Sequence, residues 1–295
     1  MANSVKSPKT KYNRSDIKSW IQFGIQNGYI NRSTDGGKNF EASLNPDIAK
    51  ENGRWVTPFV FDPVNPSTMY AGFRNIWKST NTGQPGTWVK ISDLSNIAST
   101  MKFITVSPAN PKIIIAMNDQ VVYESKDAGD TWSEKTMPAP LSAGAITSWA
   151  FSHDDENKAW VTIGDFGATR VYKTTNGGTN WVDISGNLPG IPANVIINEK
   201  NSPERVYVGT DIGIYYRDST TNSWIDYSTG LPNTIVRDLQ INYPAKTLLA
   251  GTYGRGLWKG NLVGCSGFTA TASALGVLSF CSGDSVELKV NETFS

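Results

Sequence analysis

Asp165 and Asp211 open the short segments Asp165-Phe166 and Asp211-Ile212, each directly after a run of β-formers. Two carboxylates held together are the machinery of a glycosidase. One serves as the acid and the other as base or nucleophile, at about 5–5.5 Å for retention or about 6.5–9.5 Å for inversion. Other catalytic chemistries find fewer residues. The lone His153 excludes a site that needs several imidazoles, and within the polar run Ser152-His153-Asp154-Asp155-Glu156-Asn157 it reads as a solvated turn residue. Cys265 and Cys281 are the only cysteines, so nothing before them can be a disulfide or thiolate-metal framework. No metal and no cofactor is expected.

Lys and Arg number 27 against 26 Asp and Glu, a net charge of +1 without runs of one sign, so neither a nucleic acid nor an anionic membrane is an expected partner. No run of 18 apolar residues predicts membrane insertion. The start, MANSVKSPKTKYNRSD, lacks an apolar signal core, and the chain stops inside the alternating VELKVNETFS. The expectation is a fragment, monomeric within a longer multidomain chain.

The elements that must position these residues form a repeat. Its clearest copy is Tyr172-Lys-Thr-Thr-Asn-Gly-Gly-Thr-Asn-Trp181, echoed by Tyr123 to Trp132, Asn31 to Phe40, a lengthened Trp77 to Trp88 and a worn Tyr216 to Trp224. The closing aromatics stand at 40, 88, 132, 181 and 224, a period that suits a four-stranded propeller blade. Two short β-branched or aromatic runs precede each copy, as Phe59-Val-Phe-Asp-Pro and Thr68-Met-Tyr-Ala-Gly do. Each unit therefore reads strand, turn, strand, turn, strand, motif, strand.

The motif explains itself as a turn between third and fourth strands. Its Ser or Thr and its Asp or Asn bond nearby backbone N–H groups, its Gly supplies positive φ, and its aromatic is buried between units. The residues in these structural roles are Ser33, Asp35, Gly37 and Phe40; Ser79, Asn81, Gly83 and Trp88; Ser125, Asp127, Gly129 and Trp132; and Thr174, Asn176, Gly178 and Trp181. Trp132 and Trp181 are expected to be largely buried.

Ser33-Thr-Asp-Gly-Gly-Lys-Asn-Phe40 and Ser125-Lys-Asp-Ala-Gly-Asp-Thr-Trp132 resemble the Asp-box, Ser-x-Asp-x-Gly-x-x-Trp, of the BNR-type β-propellers. The blade text GRWVTPFVFDPVNPSTMYAGFRNIWKST and the closing GTYGRGLWKGNL are similar to sortilin-like and xyloglucanase-like secreted bacterial propellers. The resemblance implies an extracellular or cell-surface protein. It also implies a glycoside hydrolase alternative, with two catalytic Asp residues facing each other across a cleft between two propellers. From Cys265 the text looks like the opening of an Ig-like or PKD-like module, with Cys281 pairing either with Cys265 or with a later cysteine.

The expected architecture is therefore an all-β propeller of about six blades, or part of a larger one, over residues 19–263. Its first and last blades are three-stranded. An N-terminal extension, 1–18, precedes it, and a truncated Ig-like β-sandwich segment, 264–295, follows it. Antiparallel alternation puts the motif turns and the first-to-second turns on one face. The second-to-third turns and the fourth-to-first connections share the other, which is the expected binding face. Arg54 and Trp55 of the 43–58 connection, Arg74, Asn75, Asn118, Asp119, Phe166, Tyr253 and Arg255 are its candidate ligand-binding residues, with Asp165 and Asp211 the catalytic pair if the protein is an enzyme. The expected function is recognition of a polysaccharide or protein ligand; the alternative is hydrolysis of a β-glucan.

Overall fold

A computed structural model of the chain describes residues 3–6, 21–24, 26–35, 38–43, 48, 51, 53–94, 99–202, 204–221, 223–264, 268–272 and 276–280. They form an all-β propeller with five four-stranded blades and almost no helix. The first sheet holds β1 (Asn3–Lys6), β2 (Ile21–Gly24), β3 (Ile30–Ser33) and β4 (Glu41–Ala42). The second holds β5 (Phe59–Phe61), β6 (Met69–Gly72), β7 (Ile76–Ser79) and β8 (Trp88–Lys90). The third holds β9 (Phe103–Val106), β10 (Ile114–Met117), β11 (Val122–Ser125) and β12 (Ser133–Lys135). The fourth holds β13 (Ile146–Phe151), β14 (Ala159–Ile163), β15 (Val171–Thr174) and β16 (Val182–Asp183). The fifth holds β17 (Ala193–Asn198), β18 (Val206–Thr210), β19 (Ile214–Arg217) and β20 (Ile225–Asp226). A sixth, three-stranded sheet, β21 (Val236–Asn242), β22 (Thr247–Thr252) and β23 (Gly256–Asn261), packs on the fifth, and β24 (Phe268–Ala272) pairs with β25 (Gly276–Phe280) beyond it. No helix among the described residues is long and apolar enough to cross a membrane.

Every sheet is an antiparallel meander, and the successive first strands β5, β9, β13, β17 and β21 approach one another as the inner strands of the ring. The second strands β14 and β18 are buried at every residue, which is why they read as unbroken apolar or small runs. Hydrophobic clusters lie between each successive pair of the six sheets. The motif aromatic of a sheet joins the cluster it shares with the sheet before it: Trp88 and Trp224 are core members, while Trp132 and Trp181 pack at the margin.

Four expectations need correction. The first sheet has four strands, because β1 pairs with β2 (Val5 opposite Gln22), a long-range pairing that no local pattern signals. Trp132 and Trp181 are only half-buried. Phe40, at the matching position of the first sheet, is exposed. His153 is half-buried, with its ring edge-to-face on Tyr243 at 6.2 Å and its backbone N–H donating to Asn198 Oδ1 at 3.2 Å. Burial, then the nearby Lys200, lowers the His153 pKa. Gly37, Cys265, Cys281 and most of the segment read as Ig-like lie outside the described residues.

The motif turns close as the residue types require. Asp127 Oδ1 accepts from the Ser125 hydroxyl and the Thr131 N–H, both at 2.8 Å, while Ser125 Oγ accepts from Gly129 N–H at 2.8 Å. Thr174 and Asn176 repeat this pattern, and Asp35 accepts from Ser33, Lys38 and Asn39. In the lengthened copy Ser79 Oγ lies 2.7 Å from Thr87 Oγ1, and Asn81 bonds Gln84 instead. Three closing tryptophans also staple adjacent sheets through Nε1: Trp88 to Ser43 O (2.9 Å), Trp132 to Ile91 O (2.9 Å) and Trp224 to Ile184 O (2.8 Å). Trp181 bonds the Gly178 carbonyl of its own turn and stands edge-on to Trp149 at 5.1 Å.

Candidate functional site

The face opposite the motif turns is assembled from short second-to-third turns and from the chain entering each inner strand. Tyr29, Trp55, Val56, Phe166, Ile212 and Tyr253 are large apolar residues exposed at this edge; Phe166 is 76% and Trp55 64% accessible. Nothing in the sheets covers them, because each sits beyond the last ladder pair of its strands. Exposed apolar side chains gathered on one face are the usual mark of an interaction surface.

Inner strands add a polar line. In the fourth, fifth and sixth sheets the register slips at the same place: between Ile146 and Ser148, between Ala193 and Val195, and between Val236 and Asp238. Each slip is a β-bulge that leaves Thr147, Asn194 or Arg237 outside the ladder and re-aims its side chain. Thr147 Oγ1 donates to Ala193 O at 2.6 Å. Arg237 donates to Asn194 Oδ1 at 3.1 Å, and Asn194 Nδ2 donates to Asp211 Oδ1 at 2.9 Å. A continuous relay therefore runs from guanidinium through amide to carboxylate. Next to it, Asp238 has its pKa raised, because burial among the inner strands outweighs the hydrogen bonds from Leu239 and Gln240. Asp238 is nonetheless exposed to solvent on its strand, as a residue lining a ring would be.

Toward the second and third sheets, Arg54 clamps Asp119 with two bonds of 2.8 and 3.2 Å, and Lys102 Nζ lies 3.9 Å from the same carboxylate. The Arg54 bonds hold the Asp119 carboxyl below its usual range, and burial lowers the Lys102 ammonium while Asp119 opposes the change. The pair ties the end of the 43–58 connection to the third sheet. It is half-exposed, so its stabilisation is about 1 kcal/mol at most.

The sequence-predicted residues divide into three groups. Trp55, Arg74, Asp119, Phe166, Tyr253 and Arg255 are exposed on the expected face, with Arg54 half-buried beside them. Asn75 and Asn118 are instead buried and turned inward. Asn75 donates to Glu51 Oε1 and accepts from Leu94 N–H, and Asn118 Oδ1 accepts from the N–H groups of Gln120 and Val121. Both side chains are buried, at 4% and 0% exposure, so neither amide is presented on the surface of that face. Asp165 and Asp211 have different surroundings: Asp165 is exposed on a loop braced by the buried Arg170, which donates to the Gly167 and Thr169 carbonyls, while Asp211 belongs to the Asn194 relay.

Sequence reasoning missed Lys102, Thr147, Asn194, Arg237 and Asp238. A usable signal existed. Thr147, Asn194 and Arg237 each follow the first buried residue of an inner strand, and they recur at the period of the motif aromatics. Among the described residues no group of three His, Cys, Asp or Glu side chains is placed to hold a metal ion.

No protein-family model matches the chain. A xyloglucanase from Paenibacillus sp is 22% identical over an alignment of 220 residues that covers 60% of this chain and 21% of that protein. The crystal structure of an ancestral GH74 enzyme superposes with a TM-score of 0.61 at 17% identity, covering 81% of this chain and 34% of that one. YCF48 bound to D1 peptide superposes at 0.54 with 13% identity, covering 83% and 75%. The chain thus spans about a fifth of the xyloglucanase and a third of the ancestral enzyme. At these identities the structural likenesses establish the propeller fold.

Proposed function

We propose that this propeller is an extracellular or cell-surface recognition module that binds a glycan across the face opposite the motif turns. The observation that carries the reading is the asymmetry of exposure. Tyr29, Trp55, Phe166 and Tyr253 stand open on that face beside an inner line of re-aimed polar groups. The three-stranded sheet reads as a sixth blade, the motif turns as Asp-boxes, and the chain after Cys265 as the start of an Ig-like module. Similarity to the Paenibacillus xyloglucanase favours a carbohydrate, whereas the peptide-bound neighbour makes a protein ligand the competing choice. The test is affinity electrophoresis of the purified chain in gels containing soluble xyloglucan. Retardation that Trp55→Ala weakens supports the reading, and retardation unchanged by every substitution on that face overturns it.

A second reading, β-glucan hydrolysis by Asp165 and Asp211, rests on the same similarity. The two carboxylates have separate surroundings: Asp211 accepts from Asn194, whereas Asp165 is exposed on its own loop. Reducing-sugar release from xyloglucan that vanishes in an Asp165→Asn, Asp211→Asn double variant would establish hydrolysis.

A further inference from the structure

The fourth, fifth and sixth sheets repeat one arrangement at the binding face. Each offers a bulge residue on its inner strand (Thr147, Asn194, Arg237) and an exposed apolar residue on its second-to-third turn (Phe166, Ile212, Tyr253). In each sheet the bulge residue lies near the axis and the turn residue beyond the paired strands. Three successive sheets thus lay a polar line parallel to an apolar ledge. In the second and third sheets the second-to-third turns instead present Arg74 and Asp119, and their inner strands show no register slip.

We propose that these three sheets form one continuous subsite for a neutral oligosaccharide lying along the arc, with its ring faces on Phe166, Ile212 and Tyr253 and its hydroxyls on Asn194, Arg237 and Asp211. The proposal rests on reading this face as the binding side and goes further in naming where on it, and what, is bound. A pyranose ring is amphipathic, with C–H faces that pack on apolar side chains and an edge of hydroxyls that both donate and accept. The relay matches that edge. Arg237 keeps donors beyond the N–H given to Asn194, and Asp211 keeps Oδ2 beyond the oxygen that accepts from Asn194, so donor and acceptor stand on either side of one amide.

Charge decides between neutral and acidic ligands. Arg237 is coupled through Asn194 to Asp211, Asp165 and Asp238 add negative charge nearby, and Arg54 is already matched by Asp119. Arg255, on the Tyr253 turn, is also exposed, so along the arc the carboxylates of Asp165, Asp211 and Asp238 stand against the guanidinium groups of Arg237 and Arg255, and an acidic polymer would meet more anions than cations.

The experiment uses the full chain in affinity gels with soluble xyloglucan as the neutral polymer and polygalacturonate as the acidic one. Phe166→Ala, Tyr253→Ala and Arg237→Gln are each expected to weaken xyloglucan retention about tenfold, and Trp55→Ala less than threefold, with melting temperatures unchanged. Polygalacturonate is expected to cause no retention. Retention abolished by Trp55→Ala but intact in the other three overturns the subsite and keeps the face. Retention intact in all four overturns both. Stronger retention by polygalacturonate overturns the neutral assignment. Failure of both polymers to retard the protein overturns the glycan reading and the subsite together.

Discussion

The two faces of the propeller use the same kinds of turn residue to opposite ends. On the motif face, polar groups of neighbouring sheets bond one another: Asn110 to Glu156 (2.6 Å), His153 N–H to Asn198 and Lys200 N–H to Tyr243 (2.9 Å) link the third sheet to the sixth. Glu204 bridges Lys158 and Lys173, each at 2.5 Å. On the opposite face, side chains such as Phe166 and Arg237 keep surface or donors in reserve. Bonds between first-to-second turns lock the blade order. The second-to-third turns of the fourth, fifth and sixth sheets, unlike that of Asp119 with its Arg54 clamp, make no such bond among the described residues and are free for a ligand.

The largest expected effect tests this division directly. Trp224 is 3% exposed, belongs to the core between the fourth and fifth sheets, and bonds Ile184 O. Trp224→Ala is expected to cost about 3–5 kcal/mol in urea denaturation, as large-to-small core changes do. Phe166→Ala, on the other face, is expected to stay within about 0.5 kcal/mol of the parent, as for surface substitutions, while impairing ligand binding. A comparable loss of stability from Phe166→Ala would erase the distinction between the faces.

Much of the fold was legible because its signals are short-range. The Ser125 to Trp132 turn closes on bonds within eight residues, so residue types alone predict it. The candidate face followed from strand alternation. What stayed hidden depends on pairing between distant segments: β1 on β2, and the bulges that bring out Asn194 and Arg237. Asn75 and Asn118 were misplaced because an asparagine in a turn looks the same whether its amide faces solvent or caps the turn from inside. Depth among the tryptophans does not follow the staple: Trp132 bonds a carbonyl near the previous sheet as Trp88 and Trp224 do, yet it is half-buried like Trp181, which bonds its own turn.

Acid should separate the faces next. On the motif face, hydrogen bonds from Thr131, the side chain first and then the backbone, lower Asp127 from 3.8 to about 2. A lowered folded-state pKa contributes stability above the unfolded value, and that contribution is lost as pH falls from near 4 through about 2. Asp127→Asn should therefore melt below the parent at neutral pH and converge with it under acid. Asp238 behaves in the opposite sense. Its raised pKa means the fold disfavours the charged carboxylate, so Asp238→Asn should melt above the parent at neutral pH and lose that advantage as acid protonates Asp238. Melting curves of both variants from pH 7 to 2 check the pair; parallel shifts in both would refute the contrast.

The smallest effect concerns backbone strain. Motif turns place non-glycine residues at positive φ, with Thr82 at 51° and Ala128 at 63°, where the clearest copy has Gly177 at 67°. The turns at Phe166, Ile212 and Tyr253 instead put their positive angles on Gly167, Gly213 and Gly254. A left-handed alanine costs about 1–2 kcal/mol through the clash of Cβ with the following carbonyl, partly offset by the greater freedom glycine has when unfolded. Ala128→Gly should therefore stabilise the protein, by at most about 1 kcal/mol. The turn's bonds from Ser125 and Thr131 hold Ala128 in this conformation, so the gain requires them to remain intact. In Asp127→Asn, where those bonds weaken, the same glycine should give less. A double-mutant cycle in urea reads the coupling, and a larger gain from glycine in the Asp127→Asn background would show that the turn does not impose the strain.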